Sequence, residues 1–264
     1  QSVFTDCPHR EKLGWLEQTH LVGPGILWNF AAESLLAKTC RDMRDAQGDD
    51  GSIPTIAPQY VKFPPPWDVF NESPEWGAAL VLVPWMVYRR TGDATILRES
   101  YDAMRRFARY LAGRGDRGIV SYGLGDWYDV GPNPPGFSQL TTAGVTGTAT
   151  LFQVQSTISE VARVLDALDA AAEYGALAET TRRAFHERFF DPANGHYDRG
   201  SQTAQAMPLA LGMTPPGHAA GVLRHLIDDI ESRNHHASAG DVGFRYVIDA
   251  LSRHGRSDVV AAML

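Results

Sequence analysis

A chain of 264 residues with 44% apolar and 21% charged side chains has the make-up of a globular protein with material for a large core, which excludes a disordered segment. Its net charge of −7 and pI near 5.7 argue against nucleic acid as a partner, since phosphate binding needs Lys and Arg gathered on one face. The longest apolar stretch, Ala78 to Val87, is broken by Pro84 and is too short to cross a membrane.

In chain order, the apolar spacing predicts a long helix from Gly25 to about residue 47, with Ile26, Phe30, Leu35, Leu36, Cys40 and Met43 available to one face. Residues 48 to 74 are expected to be loop. Within it, Asp49-Asp50-Gly51 lacks the alternating oxygen ligands of a calcium site and is expected to be a turn. Ser73-Pro74 then opens a helix from Glu75 to about Arg90, closed by Thr91-Gly92-Asp93 and kinked at Pro84. A further helix over 94 to 112 carries the stripe Leu97, Tyr101, Met104, Ala108 and Leu111. The paired arginines at 89–90, 105–106 and 182–183 are expected to face solvent.

Residues 114 to 141 read as loop with a short strand at Gly118 to Tyr122. Helical periodicity resumes at Thr141. One helix should hold Ile158, Val161, Leu165 and Leu168, and a second Tyr174, Leu177, Thr181, Phe185 and Phe189. After a short strand at His196-Tyr197-Asp198, helices follow at about 201–211, 216–231 and 240–251 and from Asp258 onward, about nine in all. The pattern is all-α: helices of ten to twenty residues joined alternately by short turns and by long loops rich in Trp, Asp and Gly, as stacked α-hairpins require. No linker divides it, so residues 1–264 are taken as a single domain, partial because a closed ring of hairpins needs more helices than these.

The chain opens at Gln1 and stops within an apparent helix at Leu264, as a fragment would. No signal-peptide pattern is present, and a secreted or periplasmic location is expected slightly ahead of a cytoplasmic one. Cys7 and Cys40 fit either a pair or two free thiols. The nine histidines show no metal-binding spacing, and neither a serine-nucleophile elbow nor a phosphate-binding glycine loop occurs. No cofactor and no catalytic metal are therefore expected.

The densest chemistry lies in Asp6 to Gln18, where Asp6, Glu11 and Glu17 accompany Arg10, Lys12 and Trp15. Carboxyls that exchange protons beside an aromatic face suit a sugar site. A solvated loop with one core Trp is the alternative. The string Asp6-Cys7-Pro8-His9-Arg10-Glu11-Lys12-Leu13-Gly14-Trp15 resembles the signature near the start of the catalytic domain of bacterial α-L-rhamnosidases, glycoside hydrolase family 78. Here the run is one residue shorter than the usual form, and Glu17-Gln18 stands where an Asp follows the Trp.

Two later stretches are similar to the same family. In Pro74-Glu75-Trp76-Gly77 the resemblance makes Trp76 a pocket wall, and in Gly125-Asp126-Trp127 it makes Asp126 an acceptor of sugar hydroxyls and Trp127 a stacking face. A loop whose Asp only caps its own turn remains the alternative for Asp126. For Glu11 the resemblance implies the general acid, for Asp6 and Arg10 contacts to sugar hydroxyls, and for Trp15 part of the wall.

The family further implies an incomplete (α/α)6 toroid and an inverting hydrolase acting on terminal α-L-rhamnose or a related sugar. Its partner is a carbohydrate substrate, and its base is a Glu expected beyond Leu264. A polysaccharide lyase or another glycosidase on an α/α toroid, and a non-catalytic glycan-binding domain, remain the alternatives. The oligomeric state is not legible.

Overall fold

The computed structural model describes residues 3–264. Helix dominates it, as the periodicity predicts: α1 (Leu16–Leu21), α2 (Gly23–Asn29), α3 (Glu33–Asp45), α4 (Pro74–Gly77), α5 (Ala79–Thr91), α6 (Thr95–Gly113), α7 (Ala143–Val164), α8 (Leu168–Phe189), α9 (Gln202–Ala210), α10 (Pro216–Ser232), α11 (Asp241–Arg253) and α12 (Ser257–Met263). Strand among the described residues is confined to β1 (Phe190–Asp191) and β2 (His196–Tyr197), antiparallel with Phe190 opposite Tyr197. Among the described residues no helix is long and apolar enough to cross a membrane. The chain divides into two compact units, Gln1–Asp116 with Thr150–Glu179, and Arg117–Ala149 with Thr180–Leu264.

In the first unit, the stretch expected as one helix from Gly25 is two, and a third precedes it. Pro24 sits in the first turn of α2, the Asn29 amide closes that helix by donating to the Gly25 carbonyl at 2.7 Å, and Phe30 turns extended (φ −138°, ψ 148°) before α3 begins. The predicted face of α3 is real, with Leu36, Cys40 and Met43 buried one helical turn apart. Both cysteines are free, and burial pushes the Cys40 thiol up to about 12.

The helix expected from Glu75 to Arg90 breaks at Ala78, and Pro84 lies in the interior of α5. Gly77, just before the break, lies so close to the Phe107 ring that a Cβ there would stand 2.8 Å from it. The predicted stop holds: Gly92 takes the left-handed conformation (φ 75°) and its N–H bonds to the Tyr88 carbonyl at 2.7 Å. On α6, Leu97, Met104, Ala108 and Leu111 are buried as the stripe predicts, joined by Phe107. Arg105 is half-buried and not solvated as expected, lying close enough to interact with Tyr174.

The long loop after α3 is pinned to this core. Asp50 Oδ1 accepts from the Ser52 N–H and hydroxyl, so the acidic run is a turn, and Gly51 (φ 94°) runs against the Arg106 carbonyl. Ile53, Ile56 and Ala57 are buried. At its far end, Glu72 accepts from the Tyr110 hydroxyl at 2.7 Å.

In the second unit, Gly118 to Tyr122 is not a strand. The Val120 N–H instead donates to Thr148 Oγ1 on α7 at 3.0 Å, and that hydroxyl returns a bond to the Val120 carbonyl, so a side chain substitutes for a partner strand. Gly147 allows this approach, since a Cβ would meet the Val120 carbonyl at 2.7 Å. Helix α9 is buried along its whole length and packs on α10 and α11. Gln205 on α9 clasps the Tyr197 backbone through both its amide oxygen and nitrogen, each at 2.9 Å. In the first unit, Leu168, expected on the stripe of the preceding helix, is instead the exposed first residue of α8.

Candidate active site

The Asp6 to Gln18 stretch is a tight turn followed at once by helix. The Cys7 carbonyl accepts both the Arg10 and Lys12 N–H groups at 3.0 Å, and Lys12 takes a left-handed conformation (φ 59°) that swings the chain back on itself. This leaves Glu11 at the surface with its two oxygens held separately. Arg10 Nη2 lies 2.9 Å from Oε1, and the Trp15 indole N–H donates to Oε2 at 2.8 Å. The Glu11 side chain keeps 34% of its accessible surface, so the fixed carboxyl can still meet a substrate. Asp6 is exposed, and Asp6, Cys7 and Glu11 can each present one atom within 4.8 Å of the others. Arg10 Nη2 also reaches Cys7 Sγ at 3.3 Å, so a guanidinium already supplies the positive charge beside these ligand atoms.

A backbone pairing sets the angle at which the turn leaves. Gly14 accepts from the Ala57 N–H at 3.1 Å and Leu16 donates to the Thr55 carbonyl at 2.9 Å, with Trp15 opposite Ile56. Gly14 is required here because a Cβ would stand 2.8 Å from the Ala57 carbonyl and 2.9 Å from Val3. Gly14→Ala is expected to cost about 1–3 kcal/mol, read as a lower thermal midpoint. An unchanged midpoint would mean that the pairing does not hold the turn.

Helices α1 and α4 hold polar groups to which the sequence reading gave no role. On α1, Glu17 and His20 are buried, and His20 Nε2 meets the Glu75 carbonyl of α4 at 2.8 Å. Glu75 is itself buried, and its carboxylate accepts from the Ser73 hydroxyl at 2.6 Å. Glu17 and Glu75 stood in the motifs without a role of their own, and the signal for His20 was a His set among apolar helical neighbours. Trp76, adjacent to Glu75, is 2% exposed, and its indole N–H is buried without an acceptor. Its ring is a backing element of the core, so the open face expected of a pocket wall is not present there.

The second unit holds Asp126 and Trp127. Asp126 is fully buried, and its carboxylate accepts from the Thr203 hydroxyl at 2.5 Å, the Gly240 N–H at 3.0 Å and the Gly243 N–H at 2.7 Å. It therefore caps the N-terminus of α11, from another part of the chain. Burial pushes it up to about 6, against the pull of those three bonds. With both oxygens occupied and no exposed surface, this carboxylate holds the scaffold and does not face a sugar. Trp127 is half-buried. Its ring lies 5.2 Å from Tyr128 and 5.3 Å, edge-on, from Phe137, both 48% exposed. Buried Asp129 organises that loop by accepting from the Gln139 and Leu140 N–H groups and the Ser138 hydroxyl.

Asp6, Arg10, Glu11 and Trp15 are thus brought together by one turn, and Asp126 adjoins Trp127 in the second unit. The family model for the bacterial alpha-L-rhamnosidase six-hairpin glycosidase domain matches residues 1–264. An alpha-L-rhamnosidase of Formosa agariphila is 27% identical over 99% of this chain and 28% of its own length, and one of Streptomyces avermitilis is 28% identical over 100% of this chain and 24% of its own length. Among solved structures, the alpha-L-rhamnosidase of Dictyoglumus thermophilum superposes with a TM-score of 0.91 at 28% identity, covering 100% of this chain and 30% of that one. The Streptomyces avermitilis enzyme complexed with L-rhamnose gives 0.89 at 27% identity, covering 99% of this chain and 24% of that one. The chain spans less than a third of each of these proteins. Its all-α architecture is accordingly of the six-hairpin type, and the chain belongs to the bacterial α-L-rhamnosidase six-hairpin glycosidase domain family.

Proposed function

We propose that residues 1–264 form part of one catalytic domain of an α-L-rhamnosidase, and that the full-length protein removes terminal α-L-rhamnose or a related sugar from a glycan or glycoside by an inverting reaction. Glu11 is the general acid, giving its proton to the leaving oxygen. The observation that carries this is the Glu11 carboxyl itself, accessible at the surface and oriented by an indole N–H on one oxygen and a guanidinium on the other. Asp6 and Arg10 take sugar hydroxyls beside it, and Trp15 closes one side. In the second unit, taken by itself, Trp127 with Tyr128 and Phe137 forms an aromatic surface suited to stacking on a carbohydrate, and Asp126 fixes the loop that carries it.

An inverting pair needs its carboxyls roughly 6.5–9.5 Å apart, with a water between. Asp6, which can approach Glu11 within 4.8 Å, is too near to be the base. The base is therefore a carboxylate outside this turn. The test is to incubate the full-length protein with an aryl α-L-rhamnoside and follow the first-formed sugar by proton NMR. Release of β-L-rhamnose is expected. Release of the α-anomer would overturn inversion, and no release of rhamnose from any rhamnoside would overturn the activity.

A further inference from the structure

The Trp15 indole that orients Glu11 is itself held from the loop between α3 and α4, all within the first unit. On its ring side, Phe63 stacks on the indole at 5.8 Å and 14°, and Phe70 meets it edge-on at 6.4 Å and 67°. On its backbone side, the Leu16 N–H donates to the Thr55 carbonyl at 2.9 Å. Both supports end on Asn71. Its side chain clasps Phe63, Oδ1 accepting from the Phe63 N–H and Nδ2 donating to the Phe63 carbonyl, each at 2.9 Å. Its own carbonyl accepts from the Thr55 N–H at 3.2 Å.

A second tie reaches the turn directly. The Tyr60 hydroxyl donates to the carbonyl of Lys12, the residue after Glu11, whose left-handed backbone (φ 59°) persists only where neighbouring structure holds it. The loop end that carries Asn71 is anchored in turn, by Glu72 on the Tyr110 hydroxyl at 2.7 Å and by the Thr55 hydroxyl on the Phe70 carbonyl. Such anchoring matters for a proton donor, because a displacement of about 1 Å in a reacting group can cost ~10²-fold in rate. An indole free to slide would release one Glu11 oxygen and leave the carboxyl to swing toward Arg10.

We infer that Asn71 and Tyr60 are positioning residues for the acid: Asn71 fixes the Glu11 carboxyl through Phe63, Thr55 and Trp15, and Tyr60 fixes the turn that carries it. Neither role requires contact with the sugar. What singles out Asn71 is that the ring side and the backbone side of Trp15 both lead to it. The inference rests on Glu11 being the general acid.

The test uses the full-length protein, a rhamnoside with a poor leaving group, and α-L-rhamnosyl fluoride, which departs with little protonation. Asn71→Ala is expected to lower kcat on the poor leaving group roughly 5- to 50-fold, a part of the acid's whole contribution, with KM and the fluoride rate unchanged. Asn71→Asp keeps the acceptor for the Phe63 N–H, so it should restore part of the loss, and it carries the comparison if thermal melts show the Ala variant unfolded. Tyr60→Phe deletes one oxygen and keeps the ring, and should give a smaller loss of the same kind, about 2- to 5-fold. In a Glu11→Gln background neither change should cost anything further, because no proton is left to aim. An unchanged kcat, an equal loss on the fluoride, a change in KM alone, or a full additional loss in the Glu11→Gln background would each overturn the positioning. Retained turnover by Glu11→Gln itself would instead remove the acid, and the positioning with it.

Discussion

Glu11→Gln is expected to lower rhamnose release from an unactivated rhamnoside by a factor on the order of 10²–10⁴, the usual contribution of a positioned general acid. Gln is the informative replacement because its amide oxygen can still accept from the Trp15 indole, so the turn closed by Cys7 and Lys12 should keep its shape. What Gln cannot do is give up a proton. The deficit should therefore shrink as the leaving group improves, becoming small for α-L-rhamnosyl fluoride, which needs little protonation to depart. A uniform loss on good and poor leaving groups would point to a damaged sugar site, and retained turnover of the poor ones would remove Glu11 from the mechanism. Rates measured on a series of rhamnosides with leaving groups of graded acidity decide between these outcomes.

Asp126→Ala should be the most destabilising single change in the second unit. It leaves the Thr203 hydroxyl and the Gly240 and Gly243 N–H groups buried without an acceptor, a cost on the order of 3–5 kcal/mol, or about 10 °C in thermal midpoint. The backbone cannot relax around the gap easily, since a Cβ on Gly243 would already lie 2.0 Å from Thr203 Oγ1. Asp126→Asn isolates the charge. Burial raises the folded carboxyl from 3.8 to about 6, so its proton is held more tightly in the folded state than in the unfolded one. That contribution is fully present below about pH 3.8 and is lost as pH rises through about 6, amounting to about 3 kcal/mol at most. The stability advantage of Asp over the non-titrating Asn should accordingly fall between pH 4 and pH 7. An advantage that grows over that range would mean that the three hydrogen bonds outweigh burial.

Much of the helical framework was legible because its signals are local. The Ser73-Pro74 start, the left-handed Gly92 stop and the α6 stripe are each written within a few residues. The failures have a common cause in contacts from distant sequence. Val120 is denied a strand by a hydroxyl on α7, and the helix expected from Glu75 to Arg90 breaks beside a glycine pressed against Phe107. The α2–α3 junction was a different case, settled by one Asn side chain bonding back to its own helix.

The site divides along the same line. Sequence by itself determined the all-α class and the gathering of Asp6, Arg10, Glu11 and Trp15, because a turn of ten residues brings its own members together whatever surrounds it. Only tertiary structure decided which of the proposed residues face outward. Asp126 and Trp76 sit in motifs that read as binding elements, yet one caps α11 and the other lies in the core, because burial is set by whatever packs on a residue from elsewhere in the chain. The same is true of Tyr60. It falls in a stretch that reads only as loop, and the fold brings its hydroxyl to the Lys12 carbonyl of the Glu11 turn.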